Sequence, residues 1–80
     1  MTAPLTVYSR AGCHLCDAML AELQAFCVDR DVEITVVDVD SSPELVERHG
    51  LSVPVLVGSD GQLCYGRLDD EALEDYLRGH

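Results

Sequence analysis

Eighty residues make one small domain, 1–80, and exclude a multidomain enzyme or a fold that wraps a large cofactor. An apolar fraction of 48% and a charged fraction of 25% are ordinary globular values, and no apolar run nears the roughly 18 residues that span a bilayer. Fifteen carboxylates against five basic residues, all arginine, give a net charge of −10, which repels nucleic acid and anionic membrane alike.

The opening MTAPLTVYSR has neither a basic start nor an apolar signal core. A cytoplasmic address is therefore expected; separately, the chain is expected to be a monomer. Leu5 to Ser9 reads as a short β-strand. Gly12 breaks it, and a helix opens around Cys13 and runs to about Asp29. Its apolar stripe is Cys16, Met19, Leu20, Leu23, Phe26 and Cys27 at helical spacing. Val32 to Val39 is a β-branched run that alternates with Glu33 and Thr35, a second strand with one wetter face. Ser41-Ser42-Pro43-Glu44 signals a helix start. Ser42 suits a cap before a first-turn proline, and Ser41 with Glu44 suits a capping box. This short helix runs to Gly50, with His49 as a cation at its C-terminal end.

Pro54 begins the apolar run Val55-Leu56-Val57, a third strand, and Asp60-Gly61 reads as a hairpin turn into Gln62 to Tyr65. Asp69 is a good N-cap for a last helix that carries Leu73, Tyr76 and Leu77 and ends at Arg78 and Gly79, with His80 as a tail. Tyr8 and Tyr65 are expected to pack within the sheet. The order is β-α-β-α-β-β-α. A crossover helix makes the first two strands parallel, and the late hairpin adds an antiparallel pair.

Cys13-His14-Leu15-Cys16 carries the chemistry. Two cysteines separated by two residues can close a disulfide when the first sits at a helix entrance and the second in its first turn. Unpaired backbone N–H groups and the helix dipole stabilise a thiolate there. A thiol of pKa about 8.5 is only about 3% ionised at pH 7, whereas one lowered to about 6 is about 90% ionised. Cys13 is the expected attacker and Cys16 the resolver, with His14 as an imidazolium neighbour. The first acid is Asp17, so residues 1–16 carry only Arg10 and the amino terminus as charges. Zinc is the rival use of such a pair. No second paired-cysteine or paired-histidine motif completes a metal site, and Cys27 lies about 16 Å down the helix from Cys16. Cys27 reads as a core residue and Cys64 as part of an edge strand. No metal ligand is assigned.

The stretch Val7 to Cys16 resembles the active-site strand and turn of glutaredoxins, and Ser52-Val53-Pro54 resembles that family's Thr-Val-Pro segment. The element order matches the minimal thioredoxin-like fold. The resemblance implies a four-stranded mixed sheet of order 2-1-3-4 with three flanking helices and a cis Val53–Pro54 bond. It also implies that the Val53 backbone pairs with glutathione or a substrate peptide, that Arg10 stands where the family has a glutathione-binding lysine, and that Asp69 orients an amine. The departures are His14 and Leu15 in place of proline and tyrosine, and Leu68 in place of a polar contact.

The expected function is a thiol–disulfide oxidoreductase that reduces protein or glutathione mixed disulfides. No cofactor is tightly bound, and glutathione is the candidate co-substrate. Partners are a disulfide-bearing protein or glutathione, with thioredoxin reductase as a candidate donor for a redoxin dedicated to one protein. From another class, the same fold can serve as a module that holds an iron–sulfur cluster or metal through Cys13.

Overall fold

The computed structural model describes residues 2–79, so the charged amino terminus and the tail residue His80 lie outside the described residues. The elements are β1 (Ala3–Ser9), α1 (His14–Phe26), β2 (Val32–Asp38), α2 (Pro43–His49), β3 (Val55–Gly58), β4 (Gly61–Tyr65) and α3 (Asp70–Arg78). They form a four-stranded sheet of order β2-β1-β3-β4. β1 runs parallel to β2, with Ala3 opposite Val32 and Ser9 opposite Asp38, and antiparallel to β3. β3 and β4 form the antiparallel hairpin.

The period of two along β1 explains the main core. Ala3, Leu5 and Val7 point to one face, where they join Leu56 of β3, Met19 and Leu23 of α1, and Leu73 and Tyr76 of α3. Each fully buried leucine among them stabilises the fold by about 1.5–3 kcal/mol. The other face is covered near one end by α2, whose His49 stacks on Tyr8 at 4.5 Å between ring centroids. His49 is thus a stacking partner as well as a C-terminal residue of its helix. At the far end of α1, Arg30 lies over the Phe26 ring and pairs with Glu74 of α3 at 2.8 Å. This ion pair is partly exposed, which limits its contribution to about 1 kcal/mol. Among the described residues, no helix is long and apolar enough to cross a membrane.

Several boundaries depart from expectation for local reasons. α1 ends at Phe26, three residues early, because Cys27 caps it and the Arg30 N–H then turns back to the Cys27 carbonyl. β2 stops at Asp38. The Asp38 carboxylate accepts the Asp40 N–H at 2.9 Å and its carbonyl accepts the Ser41 hydroxyl at 2.7 Å. These short-range bonds favour a single 3-10 turn over Val39–Ser41 and bury Val39. Because the Ser41 hydroxyl is engaged there, no capping box forms. Ser42 is the cap residue, with Pro43 at the first helical position. The hairpin turns on Ser59 and Asp60, since Gly58 pairs with Gly61 and Gly61 opens β4. Tyr65 is not a packing residue. It stands on the outward side of an edge strand, 62% exposed.

α3 is fastened to the sheet through Tyr76. Its buried hydroxyl donates to the Pro4 carbonyl at 2.6 Å and accepts the Ser59 N–H at 3.0 Å. Tyr76→Phe takes away one hydrogen bond from each of these two backbone groups. We expect a loss of about 1–3 kcal/mol, measured by urea denaturation. An unchanged midpoint would mean the hydroxyl contributes nothing to stability.

Candidate active site

The end of β1 leads through Ala11 and Gly12 into α1. Gly12 has φ +74°, a left-handed conformation that a side chain resists, and this turn swings the chain from the strand into the helix. Cys13 follows as the N-cap in an extended conformation. Its Sγ accepts the Cys16 N–H at 3.2 Å, and its carbonyl accepts the Asp17 N–H at 3.1 Å. A cysteine therefore does here what serine or aspartate does at most helix starts. In the reduced state the same N–H and the helix dipole act on a Cys13 thiolate and favour it.

Cys13 and Cys16 are joined as a disulfide, with 5.2 Å between their Cα atoms. The two sulfurs differ in access. Cys16 is 1% exposed, whereas Cys13 is half-buried and opens to solvent. His14 and Leu15, the residues between them, both face outward, and Leu15 is 51% exposed.

The sheet register brings a second segment to this point. Tyr8 pairs with Val55, so Val53 and Pro54 continue beside Ser9 and Arg10, directly ahead of the turn into Cys13. The Val53–Pro54 peptide is cis. Pro54 is buried, and its carbonyl accepts the Gly66 N–H at 2.8 Å. Gly66 itself has φ +76°, which lets the chain leave β4 with that N–H turned back toward Pro54. Composition and pattern gave Gly66 no such role. The turn at the end of β4 was its only signal.

Two other predicted site residues, Arg10 and Asp69, are engaged within the fold. The Arg10 guanidinium donates to both oxygens of Asp40, at 2.9 and 3.1 Å, and to the Gly50 carbonyl at 3.3 Å. Hydrogen bonding and charge from Asp40 hold it more firmly protonated than a free arginine. Asp40 is the partner that sequence reasoning missed, since the two lie thirty positions apart. Asp69 is the N-cap of α3, and its carboxylate accepts the Ala72 N–H at 3.1 Å. Leu68 packs against the core.

The remaining cysteines are free thiols. Cys27 is in the core, and Cys64 on β4 is half-buried against it. Burial raises both pKa values. At Cys27 the charge of Arg30 pulls the other way, and at Cys64 a hydrogen bond from the Asp69 backbone N–H does so. A folded chain holding these protons more tightly than an unfolded one keeps the associated stability below the ordinary thiol range. It loses that stability as pH climbs through the raised values.

Three comparisons bear on the site. A family model described as glutaredoxin-like domain (DUF836) matches residues 4–78. Protein Ne2328 of Nitrosomonas europaea, solved by NMR, is 33% identical, with a TM-score of 0.87 over 96% of this chain and 93% of that one. The X-ray structure of XcR50 from X. campestris is 32% identical, with a TM-score of 0.72 over 95% and 97%. Oxidised mitochondrial thioredoxin 3 of Saccharomyces cerevisiae shares the fold at 24% identity, with a TM-score of 0.67 over 98% and 78%. No curated protein matches the chain.

The differing sulfur environments give a direct expectation. In the reduced protein at pH 7, a thiol alkylating agent should modify Cys13 first, by a factor of ten or more on the order of its gain in thiolate. Cys27 and Cys64 should gain reactivity only above the ordinary thiol range. Peptide mapping after timed labelling measures this. Equal rates at Cys13 and Cys64 would contradict it.

Proposed function

Since the chain belongs to the glutaredoxin-like domain family, we propose that it is a thiol–disulfide oxidoreductase that reduces disulfides through Cys13 and Cys16. The observation that carries this reading is the disulfide at the start of α1, with one accessible and one buried sulfur. In the forward half-cycle the Cys13 thiolate attacks one sulfur of the substrate disulfide. A Cys13–substrate disulfide forms and the other substrate sulfur leaves as a thiolate. Cys16 then gives up its proton and attacks Cys13 Sγ, so that the second substrate sulfur leaves. Two electrons have moved from the dithiol to the substrate, and Cys13–Cys16 is oxidised. A thiol donor returns two electrons and two protons to restore it.

Each part of the site has a share in this cycle. The helix start stabilises the Cys13 thiolate that makes the first attack. Burial keeps Cys16 from meeting external disulfides, and its position one turn away keeps it within reach of Cys13. The Val53 backbone, beside the cis bond, is the edge on which an extended substrate segment is held, and His14 borders its path.

A second reading concerns the donor. Two groups that resemblance assigns to glutathione are engaged elsewhere, Arg10 by Asp40 and Gly50 and Asp69 by the α3 backbone, and Leu68 stands in place of the family's polar contact. This favours a protein dithiol, such as that of a thioredoxin reductase, over glutathione as the source of electrons.

Cys13→Ser should abolish disulfide reduction, and Cys16→Ser should accumulate the Cys13–substrate mixed disulfide, visible by mass. Full activity in the Cys13→Ser protein would sink the proposal. Equilibration in graded glutathione buffers addresses the donor. A couple near −200 to −230 mV, roughly the glutaredoxin range, makes glutathione competent, and one near or below about −270 mV favours the protein dithiol.

A further inference from the structure

Two surface clefts share Arg67 and Leu68, and one of them reaches Leu15, the residue just before Cys16. The nearer, of about 310 Å³, lies between α1 and the loop that leaves β4, with Leu15 and Met19 on one wall and Gly66 to Leu68 on the other. The farther, of about 710 Å³, runs from β4 across to the first turn of α3. Together they make one trough. It begins at Leu15, which sits between the two active cysteines, and ends at Asp70 and Glu71.

The floor and the rims of this trough differ in chemistry. Leu15, Met19 and Leu68 are apolar, and Leu63 continues the apolar surface along β4. Four carboxylates line the two clefts, those of Glu22, Asp69, Asp70 and Glu71, against the single guanidinium of Arg67, a net of −3. The positive charge nearest in sequence to Cys13, that of Arg10, is neutralised by Asp40. A carboxylate-bearing ligand therefore meets repulsion in the trough, and a cationic one meets attraction.

We propose that this trough selects the substrate, and that the substrate is a basic protein segment. Its reactive cysteine is flanked by an apolar residue that rests on Leu15 and Leu68, and by lysine or arginine farther along that reaches Asp70 and Glu71. Arg67 sets the order. Standing where the clefts join, it repels a cation at that point, so the cationic residues fall at the α3 end and the apolar one beside the disulfide. The proposal rests on the oxidoreductase reading and names the substrate class for the same site.

The test uses two peptides of equal length, each linked through one cysteine to the same reporter thiol. One carries leucine and then two lysines beside the cysteine, the other leucine and then two glutamates. Bis(2-hydroxyethyl) disulfide serves as a small neutral comparator. At low salt, kcat/KM for the lysine peptide should exceed that for the glutamate peptide by about tenfold or more. The ratio should collapse in 1 M salt, where the screening length is about 3 Å. Asp70→Lys with Glu71→Lys should abolish or invert the ratio. Glu22→Gln, which leaves the first turn of α3 untouched, should reduce it.

Equal reduction of both peptides at low salt would overturn the inference and leave the oxidoreductase intact. Failure to reduce any of the three disulfides would instead remove the oxidoreductase reading. The trough is then judged by binding alone, using the Cys13→Ser, Cys16→Ser protein and peptides with serine for cysteine. Tighter binding of the lysine peptide, read by fluorescence anisotropy and lost in salt, would support it. Equal or absent binding would overturn it.

Discussion

Thr6, Val7 and Tyr8 pair antiparallel with Val57, Leu56 and Val55, and this three-residue ladder governs the layout of the chemistry. A strand fixes its neighbours in steps of about 3.3 Å and alternates its faces strictly. A slip of one residue would take Val7 and Leu56 out of the core. The register that buries them also lays Val53 and Pro54 against the residues leading to Cys13. Positioning of the reactive segment thus follows from packing of the core. The two cannot be altered separately.

The disulfide divides a shared chemistry between two unlike surroundings. Cys13 serves as a helix cap and opens to water, while Cys16, one turn on, is closed off among core side chains. A short helical turn is enough to produce this division, because successive positions three apart fall on nearly the same face but at different depths. The neighbourhood is then completed by apolar and backbone groups: Leu15, the cis peptide, and Gly66 bonded to Pro54. Charged groups surround it at the margins, and Arg10, ahead of the loop, is held by Asp40.

Much of this was legible in the sequence because it is written in local pattern. Alternation along β1, the helical stripe of Met19 and Leu23, proline after Ser42, and Asp69 ahead of α3 each act within a few residues, and the element order restricts how the strands can join. The paired cysteines at a helix entrance were legible for the same reason. What escaped was contact between distant positions. The engagement of Arg10 by Asp40, the stacking of His49 on Tyr8 and the bond from Gly66 to Pro54 depend on tertiary approach, and no spacing rule foretells them. Val39 and Ser41 illustrate a different difficulty. Their residue types suit a strand end and a capping box, yet hydrogen bonds to Asp38 settle the local conformation first. Tyr65 has the type of a packing residue but lies on the free edge of the sheet, where one side of the strand has nothing to pack against.

The bond from Tyr76 to Pro4 joins positions 72 residues apart. Leu73, on the same helix, is fully buried in a cluster with Ala3, Leu5 and Val7 of β1. During synthesis, then, β1 is made well before α3, and its core face waits for that helix to emerge. Until α3 clears the ribosome, the apolar residues of β1 and β3 have only α1 to cover them. Closing a loop of this span carries most of its entropic cost before the contacts that reward it appear. The chain is therefore expected to become resistant to proteases only once α3 has docked on the sheet. A cut or early stop before α3 would expose the sheet rather than merely shorten the protein.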